Sequence, residues 1–179
     1  MMAATALGVS KAVRTQGKAI TQPATRAVME RAASPVPRVT RQHPVRVYLA
    51  GQYSKRRTLE TRADELEERG ATITHRWMSY EEGHSPTQVA SYAFEDIRAV
   101  QTADLVIAVM DDPKYAYRGT FGEVCAGLAL QKPVIILTPE HSGPKWYCET
   151  NVFYWHPSVQ HVETWEQVLA LYDQMHRVA

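Results

Sequence analysis

The chain has 179 residues, 45% of them apolar, with 20 Lys/Arg against 19 Asp/Glu and two cysteines. That length and apolar share predict one domain with a substantial core. No run approaches eighteen apolar residues, which excludes a membrane-spanning helix, and Cys125 and Cys148 have neither disulfide-framework nor metal spacing, which fits a reducing, cytoplasmic compartment.

The near-neutral total hides an uneven distribution. Residues 1–43 hold seven Lys/Arg against the single acid Glu30, whereas residues 44–179 hold thirteen against eighteen. The first segment is rich in Ala, Thr, Arg and Pro, so it is expected to be a flexible basic arm, with organellar targeting as the alternative reading. Its charges lack the clustering or aromatic interleaving of a nucleic-acid grip, and nucleic acid is not an expected partner. Residues 44–179 are expected to be the folded domain.

From Val45 onward, apolar runs and helical windows alternate. Residues 45–50 read as a β-strand ended by Gly51, and residues 58–69 as a helix stopped by Gly70. Residues 71–77 read as a second strand. After a loop containing Glu81, Glu82, Gly83, His84 and Pro86, a helix is expected over 87–102, with Ala93, Ile97 and Val100 on one face. Residues 105–110 and 134–137 are continuous apolar runs, which suits strands of a parallel sheet covered on both sides. A helix over 120–130 lies between them, and a last helix over 164–176 buries Trp165, Val168, Leu169 and Tyr172. Four strands with intervening helices predict an α/β domain: a single doubly wound, mainly parallel sheet flanked by helices, Rossmann-like or flavodoxin-like.

Ligands of such sheets bind beyond the carboxyl ends of the strands, and that rule selects the candidate chemistry. Glu123 stands at the start of the helix that follows the 105–110 strand. Thr120 and Glu123 have capping-box spacing, which offers a structural explanation. Gly119 and Gly122, however, strip side chains from both sides of the acid, and a helix N-terminus favours its anion by roughly 0.3–1 kcal/mol. Asp96 borders the apolar stripe of its helix, where Glu95 looks solvated. The first strand end supplies Tyr48, Gly51, Gln52, Tyr53 and Ser54, and then Lys55, Arg56 and Arg57. There Gly51 would allow close backbone approach and the polar groups would orient a sugar. Asp111 and Asp112 end the third strand but also suit the turn before Pro113. Trp77 is placed either to stack on a base or to fill the core. No histidine has metal-ligand spacing, and no metal or cofactor is expected.

Taken together, Val47-Tyr-Leu-Ala-Gly51, Asp96-Ile97, Ala103-Asp-Leu-Val106 and Gly119-Thr-Phe-Gly-Glu123 followed by residues 126–134 resemble the nucleoside 2-deoxyribosyltransferase family and its nucleotide N-glycosidase relatives. The resemblance covers residues 45–139, and its specificity lies in the order and spacing of the pieces. It implies that Glu123 matches the nucleophile that attacks the anomeric carbon, Tyr48 the tyrosine that holds it, and Asp96 the acid that assists base departure. A retaining glycosyl transfer through two carboxylates is chemically consistent with that set.

One departure is informative. Transferases of the family often carry an acid shortly before the nucleophile, where this chain has Tyr117 and Arg118, leaving Asp111 or Asp112 as substitutes. The monophosphate hydrolases resemble this chain in lacking that acid, and Ser54, Arg56, Arg57 and Arg118 suit a 5′-phosphate. The resemblance also implies a homo-oligomer, a dimer or larger, with Asn151 as the residue lent to a neighbouring site and Trp146, Tyr147, Phe153, Tyr154 and Trp155 as interface area. The expected activity is cleavage of the N-glycosidic bond of a nucleoside or nucleoside 5′-monophosphate through a covalent Glu123 intermediate, with transfer of the sugar to an acceptor base. Hydrolysis of a 5′-monophosphate and non-catalytic nucleotide sensing are the alternatives.

Overall fold

The computed structural model describes residues 44–80, 85–112, 114–139 and 151–176. Five parallel strands, β1 (Arg46–Ala50), β2 (Thr72–Ile73), β3 (Leu105–Val109), β4 (Val134–Leu137) and β5 (Val159–Val162), form one sheet in the order β2-β1-β3-β4-β5. Among the described residues, four α-helices accompany them: α1 (Arg56–Glu68), α2 (Pro86–Thr102), α3 (Arg118–Ala129) and α4 (Trp165–His176). This is the doubly wound, flavodoxin-like arrangement expected. The chain reverses direction across the sheet between β1 and β3, which opens a ligand crevice there.

The three central strands are apolar throughout because both of their faces are covered. Val47 to Ala50, all of β3 and all of β4 are buried. Two helices pack on one face: α1 buries Leu59, Ala63 and Leu66, and α4 buries Val168 and Tyr172. Trp165 Nε1 donates to Glu65 Oε2 at 2.6 Å and Arg69 pairs with Asp173 at 2.8 Å, joining α4 to α1. On the other face α2 packs against α3, and α3 comes close enough to β3 that a methyl on Gly127 would sit 2.9 Å from Val106 Cγ2.

Several element boundaries differ from the sequence reading. The strand expected over 71–77 pairs for two residues only, after which the chain turns outward and forms a 3-10 turn, Trp77–Ser79. A fifth strand, β5, lies at the sheet edge in a stretch given no element. The helix expected from residue 87 starts at Pro86, capped by a reciprocal Ser85–Gln88 box. Of its expected buried face only Val100 is buried: Ala93 and Ile97 are exposed, as are Val89 and Phe94, and Ala99 takes the core position instead. The basic arm, Cys148, Trp146, Tyr147 and the loop 81–84 lie outside the described residues.

Gly51 has a packing reason rather than the ligand-approach reason suggested by its position. A Cβ there would lie 2.7 Å from Leu59 Cδ1 and 3.4 Å from the Val109 carbonyl. Leu59 is itself buried and cannot swing away freely. Gly51→Ala is therefore expected to lower stability by about 1–3 kcal/mol through overpacking, measured as a shift in urea midpoint at unchanged slope.

Candidate active site

Tyr48 is the point at which the site assembles. It lies in the middle of β1, fully buried, and its hydroxyl donates to Glu123 Oε1 at 2.6 Å across 75 residues of chain. Asp96 of α2 approaches the same hydroxyl. A phenol carries one proton, so two carboxyl groups converging on it cannot both be satisfied as anions. The electrostatics follow from that crowding. Burial and the two neighbouring carboxylates raise Tyr48 well above the ordinary tyrosine value, so it stays a donor.

Glu123 is raised to about 7, chiefly by burial; the Tyr48 hydrogen bond opposes the shift and the charge of Asp96 adds to it. Asp96 is raised as well, again by burial first, with Tyr48 and His75 pulling it down and Glu95 pushing it up. Because the two acids interact directly, they titrate as a pair, and the upper step belongs to the pair rather than to one residue.

The helix that carries Glu123 begins differently from its sequence signature. It starts at Arg118 after Tyr117, which adopts left-handed geometry (φ 44°, ψ 38°), and no side chain caps it. The capping box expected of Thr120 and Glu123 does not form. Thr120 is buried inside the helix, and Glu123 falls in the second turn with its carboxylate turned to Tyr48. The expected help from the helix N-terminus is correspondingly overturned, since burial moves this acid away from ionisation. Tyr117 is fully buried, and its hydroxyl accepts from the Asp112 backbone N–H at 2.8 Å, which ties the loop before α3 to the end of β3. Methyl groups at Gly119 and Gly122 would meet nothing within 4 Å, so the start of α3 is open on that side.

The remaining candidates divide. Gln52 Nε2 donates to Ser54 Oγ at 2.7 Å, while Gln52 Oε1 is buried with no hydrogen-bond partner among the described residues. That acceptor is available to a ligand hydroxyl. The Tyr53 hydroxyl donates to the Tyr80 carbonyl at 2.8 Å, and Arg56 lies over the Tyr53 ring at 4.6 Å. Ser54 and Arg57 are exposed at the start of α1, and Arg118 is exposed at the start of α3. Asp112 accepts from the Lys114 N–H at 2.9 Å and serves its own turn. Asp111 is held by Lys55 at 2.8 Å and Arg62 at 3.7 Å. Asn151 Oδ1 caps the 3-10 turn Val152–Trp155 by accepting from Phe153 N–H at 3.1 Å. Trp77 is not carried forward as a stacking residue: it is 7% exposed, and its indole N–H donates to the Leu49 carbonyl at 2.7 Å.

Three residues enter the site that the sequence reading passed over. His75 Nδ1 lies 3.1 Å from Asp96 Oδ1, and its Nε2 lies 2.9 Å from the Tyr80 hydroxyl. Tyr80 in turn donates to Glu95 Oε2 at 2.7 Å and stacks on Tyr92 with centroids 3.7 Å apart. The available signal was topological: β2 neighbours β1, so residues just past Ile73 emerge at the same crevice. Among the described residues, no cluster of His, Cys, Asp or Glu could hold a metal ion, and no helix is long and apolar enough to cross a membrane.

The family model described as "Nucleoside 2-deoxyribosyltransferase" matches residues 47–153, more than half of the chain. The chain belongs to that family. No curated protein sequence matches this nucleoside 2-deoxyribosyltransferase family member. Among solved structures, a 2-deoxyribosyltransferase from the psychrotolerant bacterium Bacillus psychrosaccharolyticus is 21% identical, with a TM-score of 0.52 over 69% of this chain and 90% of its own. A conserved protein from Enterococcus faecalis V583 is 14% identical, with a TM-score of 0.52 over 73% and 98%. A CMP N-glycosidase from Clostridium botulinum is 23% identical, with a TM-score of 0.49 over 72% and 98%. The likeness at 0.52 shows that this family member shares the fold of those proteins.

Proposed function

We propose that the protein cleaves the N-glycosidic bond of a nucleoside or nucleoside 5′-monophosphate and passes the sugar to an acceptor base. The observation that carries this reading is the Tyr48 hydroxyl shared by Glu123 and Asp96 beside the switch-point crevice. Glu123 Oε attacks the anomeric carbon while the C1′–N bond breaks. The bonding pair leaves with the base, and Asp96 places its proton on the departing nitrogen. The acceptor base then attacks C1′ on the same face, returns its N–H proton to Asp96 and releases Glu123.

The reacting form holds one proton on the two acids, placed on Asp96. Glu123 has the more strongly raised affinity for that proton in the empty site, so the proton must be exchanged when substrate arrives. Tyr48 lies between the acids and offers the route: its hydroxyl turns from Glu123 to Asp96, gives its proton there and takes one from Glu123. The transition state favours the exchange, because developing positive charge at C1′ stabilises an ionised Glu123.

The test is direct. Deoxynucleosides and their 5′-monophosphates are incubated with the protein, with and without an acceptor base, and free or exchanged base is quantified. Base exchange by wild type and none by Glu123→Ala supports the reading. Binding without turnover by either form supports the sensor instead.

Hydrolysis of a 5′-monophosphate is a second reading, favoured by the commitment of both acids at the end of β3: Asp111 to Lys55 and Arg62, and Asp112 to its turn. In that reading water replaces the acceptor base. Ser54, Arg57 and Arg118, exposed at the starts of α1 and α3, are the phosphate contacts proposed here. Arg57→Ala is expected to weaken use of monophosphates by about 1.5–3 kcal/mol in kcat/KM, with little change for nucleosides. Equal effects on both substrates would remove Arg57 from that role. The homo-oligomer, and with it Asn151 as a residue lent to a neighbouring site, stands as part of the proposal, to be checked by sedimentation.

A further inference from the structure

We infer that His75 is a positioning residue which shares one proton with Asp96 and keeps that acid loaded for base departure. The inference rests on the proposed roles of Asp96 and Glu123, and it concerns how the acid is kept ready rather than whether it acts. Its basis is a count of protons along a line of hydrogen bonds.

The line starts in solvent and ends in the site. Glu95 has about half its side chain exposed and accepts from the Tyr80 hydroxyl at 2.7 Å. That hydroxyl has one proton and has spent it. The 2.9 Å contact between Tyr80 and His75 Nε2 can then be a hydrogen bond only if Nε2–H donates to the tyrosine oxygen. With Nε2 protonated, two states remain for the 3.1 Å contact between Nδ1 and Asp96 Oδ1. Either Nδ1 is bare and Asp96 is the protonated donor, or Nδ1 carries the proton and Asp96 is the anion. Both states contain the same single proton. A histidine fixed at its far nitrogen by Tyr80 and Glu95 therefore holds a proton within transfer distance of the acid that must deliver one.

The surroundings sustain this. Facing His75 are Asp96 and Glu95 from α2 and Tyr80 from the 3-10 segment, with the Tyr80 ring edge-on at 5.5 Å. Tyr92 of α2 stacks behind Tyr80, and Tyr48 and Glu123 lie beyond Asp96. The neighbouring cation, Arg76, is occupied by Asp64 at 2.7 Å and Glu67 at 2.5 Å. Among the described residues, the polar groups facing the imidazole are thus carboxyls and phenols. When Asp96 gives this shared proton to the leaving base, Nδ1 and the carboxylate are both left without it; the acceptor base or water later returns one to the pair, so the cycle balances.

Two variants separate proton sharing from mere support. His75→Asn keeps a side-chain N–H that can donate to Asp96 but cannot release a proton, whereas His75→Ala removes both. Both are expected to lower kcat on deoxynucleosides by about 10- to 100-fold with KM within about threefold. Both should lose much less on 4-nitrophenyl 2-deoxyriboside, whose leaving group departs as a stable anion without needing an acid. Full activity in His75→Asn, or equal losses on both substrates, would overturn the inference. A second measurement is independent of turnover. Imidazole ¹⁵N spectra are expected to show the His75 Nδ1 resonance displaced in Asp96→Asn while Nε2 stays protonated in both proteins; an Nδ1 resonance unchanged by the substitution overturns the proposal. An Nδ1 resonance that responds in this way in a protein that turns over neither substrate would instead remove the enzymatic reading and leave the shared proton in place.

Discussion

Glu123→Gln is expected to reduce kcat/KM for base exchange by about 10³-fold or more while making the protein more stable above neutral pH. The first half follows from removing the atom that bonds C1′: an amide oxygen accepts the Tyr48 hydrogen bond in nearly the same place but cannot form the covalent intermediate. The second half follows from linkage. Glu123 has a folded value of about 7 against an ordinary 4.5, so below pH 4.5 it is protonated in both the folded and unfolded states. Between pH 4.5 and 7 the unfolded chain ionises while the folded one holds its proton, so stability falls as pH rises through that window. By pH 8.5 the buried charge has cost on the order of 1–3 kcal/mol, a cost that the glutamine variant does not incur. Thermal unfolding at pH 8.5 and at pH 4.5 checks it: the variant should unfold at higher temperature at the first pH and show no comparable gain at the second. A variant that loses activity and also loses stability at pH 8.5 would mean that the carboxylate supports the fold rather than straining it.

This opposition between fold and site explains which parts of the molecule were legible in the sequence. The central strands β1, β3 and β4 were readable because burial on both faces demands uninterrupted apolar runs, and no other constraint competes there. At the sheet edges that demand relaxes. β5 reads Val-Gln-His-Val and is only partly buried, while β2 pairs for two residues before the chain leaves to place His75 and Trp77. Neither carries a run that pattern can detect.

The same limit applies to helix starts. Ser85–Gln88 forms the capping box that its spacing allows, yet Thr120–Glu123, with equally good spacing, does not. The difference lies outside the local sequence: Tyr117 turns left-handed to begin α3 early, and Tyr48 draws Glu123 away from its own backbone. Resemblance supplied Tyr48, Asp96 and Glu123 as candidates, and the fold brings all three together. It could not supply His75, Tyr80 and Glu95, whose contacts join the end of β2 to the outer face of α2 and have no local signature.

Asp96→Asn is the companion variant with the second-largest expected effect, and its sign in pH distinguishes the proposed roles most sharply. In wild type the reacting form carries one proton on the two acids. kcat/KM should therefore rise as the doubly protonated pair loses its first proton, and fall as the last one is lost near pH 7. Replacing Asp96 removes the acid that loads the leaving base, at an expected cost of about 10²- to 10⁴-fold. It also removes a negative charge that raises Glu123, so the nucleophile should ionise at lower pH. The residual activity then depends on one ionisation only, that of Glu123, and should climb with pH and stay level where wild type declines. Activity that still declined above pH 7 in the variant would place the essential proton elsewhere and strip Asp96 of its role. A lost alkaline limb, together with a smaller penalty on 4-nitrophenyl 2-deoxyriboside than on deoxynucleosides, would assign the departing base's proton to Asp96.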